Sequence, residues 1–214
     1  RREDPAFKKV VDDAVKALEF VGLPDMLEMA HRLGIESLDG TDYGLSLTLG
    51  GGDVTLLEMA GAYATFANGG KRVPPVAILR IEDATGGIIE EYQAPPGEQV
   101  ISPQHAYLIT DILADNNARA PSFGRNNPLV LSRPAAAKTG TTDDWRDAWT
   151  VGYTPELVAG VWVGNADNTP MNDVSGSRGA APIWQAFMER ALEGVPVSGF
   201  VRPEGIEEYE ISAD

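Results

Sequence analysis

Residues 138–155 read Lys138-Thr139-Gly140-Thr141-Thr142-Asp143-Asp144-Trp145-Arg146-Asp147-Ala148-Trp149-Thr150-Val151-Gly152-Tyr153-Thr154-Pro155, and the first five decide the fold. A lysine follows the run Ala135-Ala136-Ala137, and hydroxyl residues follow the lysine. Side chains alternate along a strand, so an alanine-rich strand is here interrupted by one cation and a set of hydroxyls. Gly140 has no Cβ, which lets another backbone come close. On a sheet edge, such a strand offers free N–H and C=O groups to an extended peptide. Lysine and threonine hydroxyls beside it suit a carboxylate, and an N–H aimed into the site suits an oxyanion. Two other readings of these residues stand beside this one. The lysine could simply snorkel from a strand end, with the threonines as ordinary β residues. A phosphate loop would need Gly-x-x-x-x-Gly ahead of Lys-Thr, and Arg133-Pro134-Ala135-Ala136-Ala137 supplies no glycine.

Outward from this stretch, three strand-like runs follow one another at 135–141, 148–153 and 157–163. Thr154-Pro155-Glu156 separates the last two at hairpin length, so the spacing predicts an antiparallel meander. Upstream, Val11, Val15, Leu18 and Val21 keep helical spacing over 7–21, with Gly22 at the end. Pro24 opens a second helix whose apolar residues are Met26, Leu27, Met29, Ala30 and Leu33, closing at Gly34. A loop follows that holds Gly40, Gly44 and Gly50-Gly51-Gly52. No strand and following helix frame this glycine run, so it is no dinucleotide site. Thr55-Leu56-Leu57-Glu58 is a capping-box pattern for a helix to Phe66, closed by Asn68-Gly69-Gly70. A β-ribbon is predicted from 76–81 and 88–92 around Ala84-Thr85-Gly86-Gly87. Ser102-Pro103 caps a helix to Leu113 with the stripe Ala106, Ile109, Ile112 and Leu113. A last helix, 183–192, aligns Ile183, Trp184, Phe187, Met188 and Ala191. The tail, 200–214, reads as a linker with a short acidic strand. The fold class is α+β.

Composition narrows the function. The 214 residues carry 17 basic and 32 acidic side chains, a net charge of −15, so nucleic acid is not an expected partner. With 43% hydrophobic residues a core can form. The 23 glycines and 15 prolines exceed the ~12% average and demand many turns. There is no cysteine. His31 and His105 stand in no ligand pattern, so neither a metal nor a cofactor is expected. No run approaches the ~18 apolar residues that cross a membrane. No signal peptide is visible, and the opening Arg1-Arg2-Glu3-Asp4-Pro5 lacks an initiator methionine, so we expect an internal piece of a longer protein.

The stretch 138–155 resembles the third box and following hairpin of penicillin-binding proteins. So do Val158-Ala159-Gly160-Val161-Trp162-Val163-Gly164-Asn165, the segment from Leu49 to Ala60, and Tyr63-Ala64-Thr65-Phe66-Ala67-Asn68-Gly69-Gly70. Four such stretches in the family's order, from about residue 14 to 211, are a specific signal. The Arg146-Asp147-Ala148-Trp149 hairpin resembles the bifunctional, class A, high-molecular-weight type.

The resemblance implies a penicillin-binding/β-lactamase-like fold: an antiparallel sheet flanked by helices. It is expected to be incomplete here, with the first strands and nucleophile helix missing and the meander left with exposed apolar surface and an unpaired edge. It implies a peptidoglycan D,D-transpeptidase that passes the acyl group of a D-Ala-D-Ala stem peptide through an acyl-serine, and that binds β-lactams. Lys138 and Thr141 would be catalytic: Lys138 as a cation aiding proton transfer, and the Thr141 N–H as half of an oxyanion hole. Thr139 and Thr141 would bind the terminal carboxylate. Gly140 would leave room for the substrate backbone, and Thr142 and Trp145 would line the cleft, Trp145 at its rim. Three boxes make such a site: Ser-x-x-Lys, Ser-x-Asn and Lys-Thr-Gly.

This sequence departs from that pattern. No Ser or Thr is followed three residues later by Lys; Ser37, Ser102 and Ser132 meet Gly40, His105 and Ala135 at that spacing. Lys9-Val10-Val11, where Ser-x-Asn belongs, does not match it, and Ala137 stands where glycine is common. We therefore expect a chain inactive alone, with residues 1–199 forming the C-terminal portion of the transpeptidase domain and 200–214 a tail. The rest of the domain, in a second chain or in the same parent, is the expected partner. A parent anchored at the extracytoplasmic face of the bacterial membrane is expected too. A non-catalytic penicillin or peptidoglycan sensor, and a D,D-carboxypeptidase or β-lactamase of the same fold, are the alternatives.

Overall fold

The computed structural model describes residues 5–209. The helical spacing at the start becomes α1 (Pro5–Val21) and α2 (Leu23–Arg32). Gly22 joins them at φ 88°, the left-handed geometry in which glycine avoids the Cβ penalty. Thr55 and Glu58 form the complete reciprocal capping box that opens α3 (Leu56–Ala67). Leu18, Ala30, Ile35, Leu38, Leu47 and Ala62 bury together as one core. Within the glycine-rich loop, where the sequence predicts no element, the chain forms a 3₁₀ turn, Leu45–Leu49.

Four short strands follow. β1 (Lys71–Arg72) pairs with β4 (Glu98–Gln99). Between them β2 (Arg80–Glu82) and β3 (Ile88–Glu91) form the ribbon. The ribbon starts at Arg80 rather than at 76; the chain bends at 77 and 79, although the Leu79 carbonyl still accepts from the Tyr92 N–H at 2.8 Å. Ser102 caps α4 (Pro103–Ala114) by accepting from the His105 N–H. α5 (Asn116–Phe123) was not foreseen. Asp115 caps it through the Asn117 and Ala118 N–H groups, and it tolerates Pro121 in its interior.

The meander is present as read. β5 (Ala136–Thr141), β6 (Asp147–Tyr153) and β7 (Val158–Gly164) form an antiparallel sheet in sequence order. Its register pairs Lys138 with Val151 and Thr150 with Val161. α3 and α4 cover one face. There the Tyr153 hydroxyl meets Thr110 Oγ1 of α4 at 2.8 Å, and its ring meets Tyr63 of α3 edge-on. Burial pushes the Tyr153 hydroxyl up to about 12. α6 (Ala180–Ala191) covers the other face. Its Trp184 and Met188 pack with Leu129, Ala137, Ala159, Ala181 and Leu192. Neither β5 nor β7 has a strand on its outer side among the described residues.

The two apolar stripes that the sequence shows on α4 and α6 are each only partly buried. Ile109 and Ile112 of α4, and Ile183 and Phe187 of α6, are exposed, while Ala106, Trp184 and Met188 are buried. Helical spacing shows that residues share a side; it does not show which part of that side is covered. Residues 200–209 contain no strand, and the rest of the expected acidic strand lies outside the described residues. The segment 200–209 lies against the body. Phe200 packs edge-on against Tyr153, and the Glu204 carbonyl accepts from Gln104 Nε2.

Glu58 ties the helical half together. Its carboxylate accepts from the Ser37 hydroxyl, the N–H groups of Glu36, Ser37 and Thr55, and the Thr55 hydroxyl. The Ser37 hydroxyl, with the Thr55 and Ser37 N–H groups behind it, lowers its pKa from 4.5 to about 2. A folded pKa below the unfolded one stabilises above the unfolded value, and that stability is lost as pH falls from 4.5 through about 2. Solvent screening reduces the effect to on the order of 1 kcal/mol. Urea midpoints measured from pH 5 to pH 2 should therefore fall less steeply in Glu58→Gln than in the unaltered chain. Parallel curves would show that this carboxylate is no clamp.

Candidate active site

Four of the six predicted site residues, Lys138, Thr139, Gly140 and Thr141, lie on β5, whose alternation divides them, while Thr142 and Trp145 lie just beyond it. Ala137, which packs under Trp184, shares the α6 face with Thr139 and Thr141. Lys138 and Gly140 therefore lie on the α3/α4 face. The backbone divides the same way. The Thr142 N–H donates inward to the Asp147 carbonyl at 3.0 Å, so Thr141 and Thr139 turn their N–H and C=O groups to the open side of β5. The edge is thus a row of main-chain groups with a cation on one side and two hydroxyls on the other.

Lys138 Nζ donates to the outward Thr139 carbonyl at 2.6 Å. Burial lowers the lysine pKa below its ordinary value, and repulsion from Arg119 of α5 lowers it further. The residue is nevertheless exposed at its surface, so the lowering reflects atoms crowded around the ammonium and is screened in its energy. Arg119, a second cation beside this edge, was missed because its helix was missed. Its guanidinium donates to the Leu113 carbonyl.

On the hydroxyl side, the loop before α6 is fastened to the strands. Thr141 Oγ1 accepts from the Gly176 N–H at 2.9 Å, and Thr150 Oγ1 shares its proton between the Trp149 carbonyl at 2.9 Å and the Gly176 carbonyl at 3.3 Å. The Thr141 hydroxyl keeps its own proton to donate. Gly140 faces Trp149 across the ladder, where an added Cβ would stand 3.3 Å from the Trp149 Cβ.

Beyond β5 the chain turns sharply through the 3₁₀ segment Asp143–Trp145. Asp144 and Trp145 both adopt left-handed backbone, at φ 59° and 54°. For an aromatic residue this is strained, and it persists only where the surroundings hold it. Here they do. Asp147 accepts from the Thr142 hydroxyl (3.1 Å) and from Trp162 Nε1 (2.8 Å), and the Trp145 carbonyl accepts from the Met171 N–H (3.0 Å). The Thr142 hydroxyl also accepts from the Asp147 N–H at 2.7 Å, so it is engaged within the turn. The Trp145 ring is left 45% exposed just past the edge strand. No carboxylate or imidazole cluster of metal-site type occurs among the described residues. A cavity of about 260 Å³ lies at the far end of the sheet, between α3 and the 154–158 turn. The β5 edge is an open wall.

Residues 16–189 match the family described as the penicillin binding protein transpeptidase domain. The chain belongs to this family. It is 36% identical over 200 residues to Penicillin-binding protein 2D of Bacillus subtilis, covering 90% of the chain and 28% of that relative. Penicillin-Binding Protein 1A from Haemophilus influenzae has a similar structure, with TM-score 0.81 and 27% identity over 94% of this chain and 36% of that one. PonA1 from Mycobacterium tuberculosis, solved in complex with penicillin V, aligns at TM-score 0.69 and 31% identity over 83% of this chain and 51% of that one. The transpeptidase-family chain thus spans little more than a quarter of the curated relative's length. Among the described residues no helix is long and apolar enough to cross a membrane.

Proposed function

We propose that this chain supplies the Lys-Thr-Gly wall of a peptidoglycan D,D-transpeptidase site. The observation that carries the reading is the open β5 edge, where Thr139 and Thr141 present main-chain groups beside the Lys138 ammonium. A stem peptide ending in D-Ala-D-Ala lies along this edge as an added strand. Its N–H takes the Thr139 carbonyl that Lys138 now occupies, and its terminal carboxylate takes the released ammonium. The Thr139 hydroxyl and the free proton of the Thr141 hydroxyl donate to the same carboxylate. The outward Thr141 N–H faces the scissile carbonyl as an oxyanion donor. Trp145 bounds the cleft, and Thr142 holds the turn that displays it.

In the reaction a serine oxygen adds to the penultimate carbonyl, the amide bond breaks, and D-Ala leaves with the proton. An amine from a neighbouring strand then displaces the serine and forms the cross-link. β-Lactams enter the same edge and stop at the acyl-serine. The serine must come from a Ser-x-x-Lys box, which this sequence does not contain. Loss of an activated nucleophile costs a comparable serine enzyme ~10⁶-fold in turnover. We assign residues 1–199 to the transpeptidase domain and 200–214 to its tail, and place the parent protein at the extracytoplasmic face of the membrane.

The test titrates the chain with N-acetyl-D-Ala-D-Ala while following backbone amide resonances. The Thr139 and Thr141 amides are expected to shift. Lys138→Ala should weaken binding roughly tenfold, the worth of a charge-assisted hydrogen bond. Shifts confined to other residues would overturn the reading. So would a stable adduct between these 214 residues and labelled penicillin, since the nucleophile would then lie within them.

A further inference from the structure

The β2–β3 ribbon stands off the body with all seven of its strand residues exposed. A two-stranded ribbon has little stability of its own. This one is held by its turn: Asp83 Oδ1 accepts from the Thr85 N–H (2.7 Å), the Thr85 hydroxyl (2.7 Å) and the Gly87 N–H (2.8 Å). Apolar packing does not hold it. Ile78, Leu79, Ile81, Ile88 and Ile89 lie between 38% and 66% exposed, Leu79 and Ile89 at the upper end. A ribbon formed by its turn has no structural need for five large aliphatic side chains in water.

The charges around them discriminate among occupants. Between Arg80 and Glu91 there are four acids, Glu82, Asp83, Glu90 and Glu91, against the single Arg80, which Glu82 already pairs at 2.5 Å. Acids on a short edge strand prevent it from pairing with its own kind. A second copy of this chain, itself at −15, is repelled, and so is an anionic lipid surface. A cationic segment with intervening apolar residues meets no such barrier. It finds both outer edges of a two-stranded sheet without a strand partner among the described residues.

We propose that this ribbon is a docking site for an extended protein segment that alternates apolar with lysine or arginine residues and adds to the ribbon as a further strand. The surface is separate from the β5 edge and does not depend on the transpeptidase reading.

The probe is a fluorescein-labelled octapeptide of alternating lysine and valine, with its glutamate–valine counterpart as control, added to the 214-residue chain. Fluorescence anisotropy should show the lysine peptide binding and the glutamate peptide not. Ile88→Ser with Ile89→Ser should weaken the lysine peptide roughly tenfold. Glu90→Lys with Glu91→Lys should exchange the preference of the two peptides. These residues are all exposed, so the fold should survive the changes, and unchanged circular dichroism checks that it does. Absence of binding, or lysine-peptide binding that neither variant alters, overturns the proposal. So does concentration-dependent self-association that the isoleucine variant abolishes, or binding to phosphatidylglycerol vesicles lost in the same variant, because either names another occupant.

Discussion

Gly176→Ala is expected to unfold at a midpoint roughly 6–12 °C below that of the unaltered chain, which corresponds to about 3 kcal/mol for a domain of this size. A Cβ at this position would stand 2.4 Å from the Gly140 carbonyl oxygen and 2.5 Å from that of Trp149. Both are backbone atoms in a paired ladder, so neither can rotate aside. The loop would have to lift away from the strands. In lifting it would give up the hydrogen bonds that join Gly176 to the Thr141 and Thr150 hydroxyls. It would also disturb the first turn of α6, where the Ala181 N–H donates to the Gly176 carbonyl at 2.8 Å. Gly199→Ala is the control, since its Cβ would meet nothing within 4 Å and its backbone is not left-handed. Calorimetry that finds the two variants alike would show that the loop does not grip the edge strand. A lowered midpoint together with altered Thr139 and Thr141 amide shifts would link the stability of the loop to the geometry of the wall.

The signals that worked are local. Thr55 with Glu58, and Ser102 before Pro103, announce helix starts within four residues, and both cap as read. The meander follows from alternation and a three-residue turn. The open edge that we propose as a substrate wall stands out in the sequence because Lys138, Thr139, Gly140 and Thr141 are consecutive on one strand.

What escaped is non-local. Val174-Ser175-Gly176-Ser177 reads as an ordinary loop, and nothing in it tells that Gly176 is pressed against two carbonyls far earlier in the chain. Arg119 lies beside Lys138 only because α5 folds back there, and a helix with Pro121 in its interior is one that local propensity disfavours. Asp115 caps the start of that helix, a signal that stands in the sequence just ahead of it. Ile112 and Phe187 show the converse. Their periodicity is right and their burial is not, because burial depends on what covers the helix. The strain at Trp145 belongs to the same class, since a sequence does not reveal a left-handed tryptophan until its neighbours hold it there.

Trp184→Ala is expected to cost about 3–5 kcal/mol, the usual range for emptying a large buried aromatic site. Trp184 is fully buried, and its ring seals the face of the sheet where β5, β6 and β7 meet α6. Its fit is tightest against Gly152. A Cβ there would lie 2.5 Å from the Trp184 Cζ2, 2.7 Å from the Ala137 Cβ and 2.8 Å from the Ala136 carbonyl oxygen. The sheet therefore carries a glycine on its middle strand to admit one indole. A double-mutant cycle tests this directly. Gly152→Ala alone should be strongly destabilising, because the methyl has no space. Trp184→Phe removes the indole atom nearest that methyl, so the pair together should cost less than the sum of the two single changes. The relief should be partial, because Ala137 and the Ala136 carbonyl remain in place. Full additivity in urea-unfolding free energies would mean that Gly152 is required by the strand pairing alone and that the indole merely lies nearby.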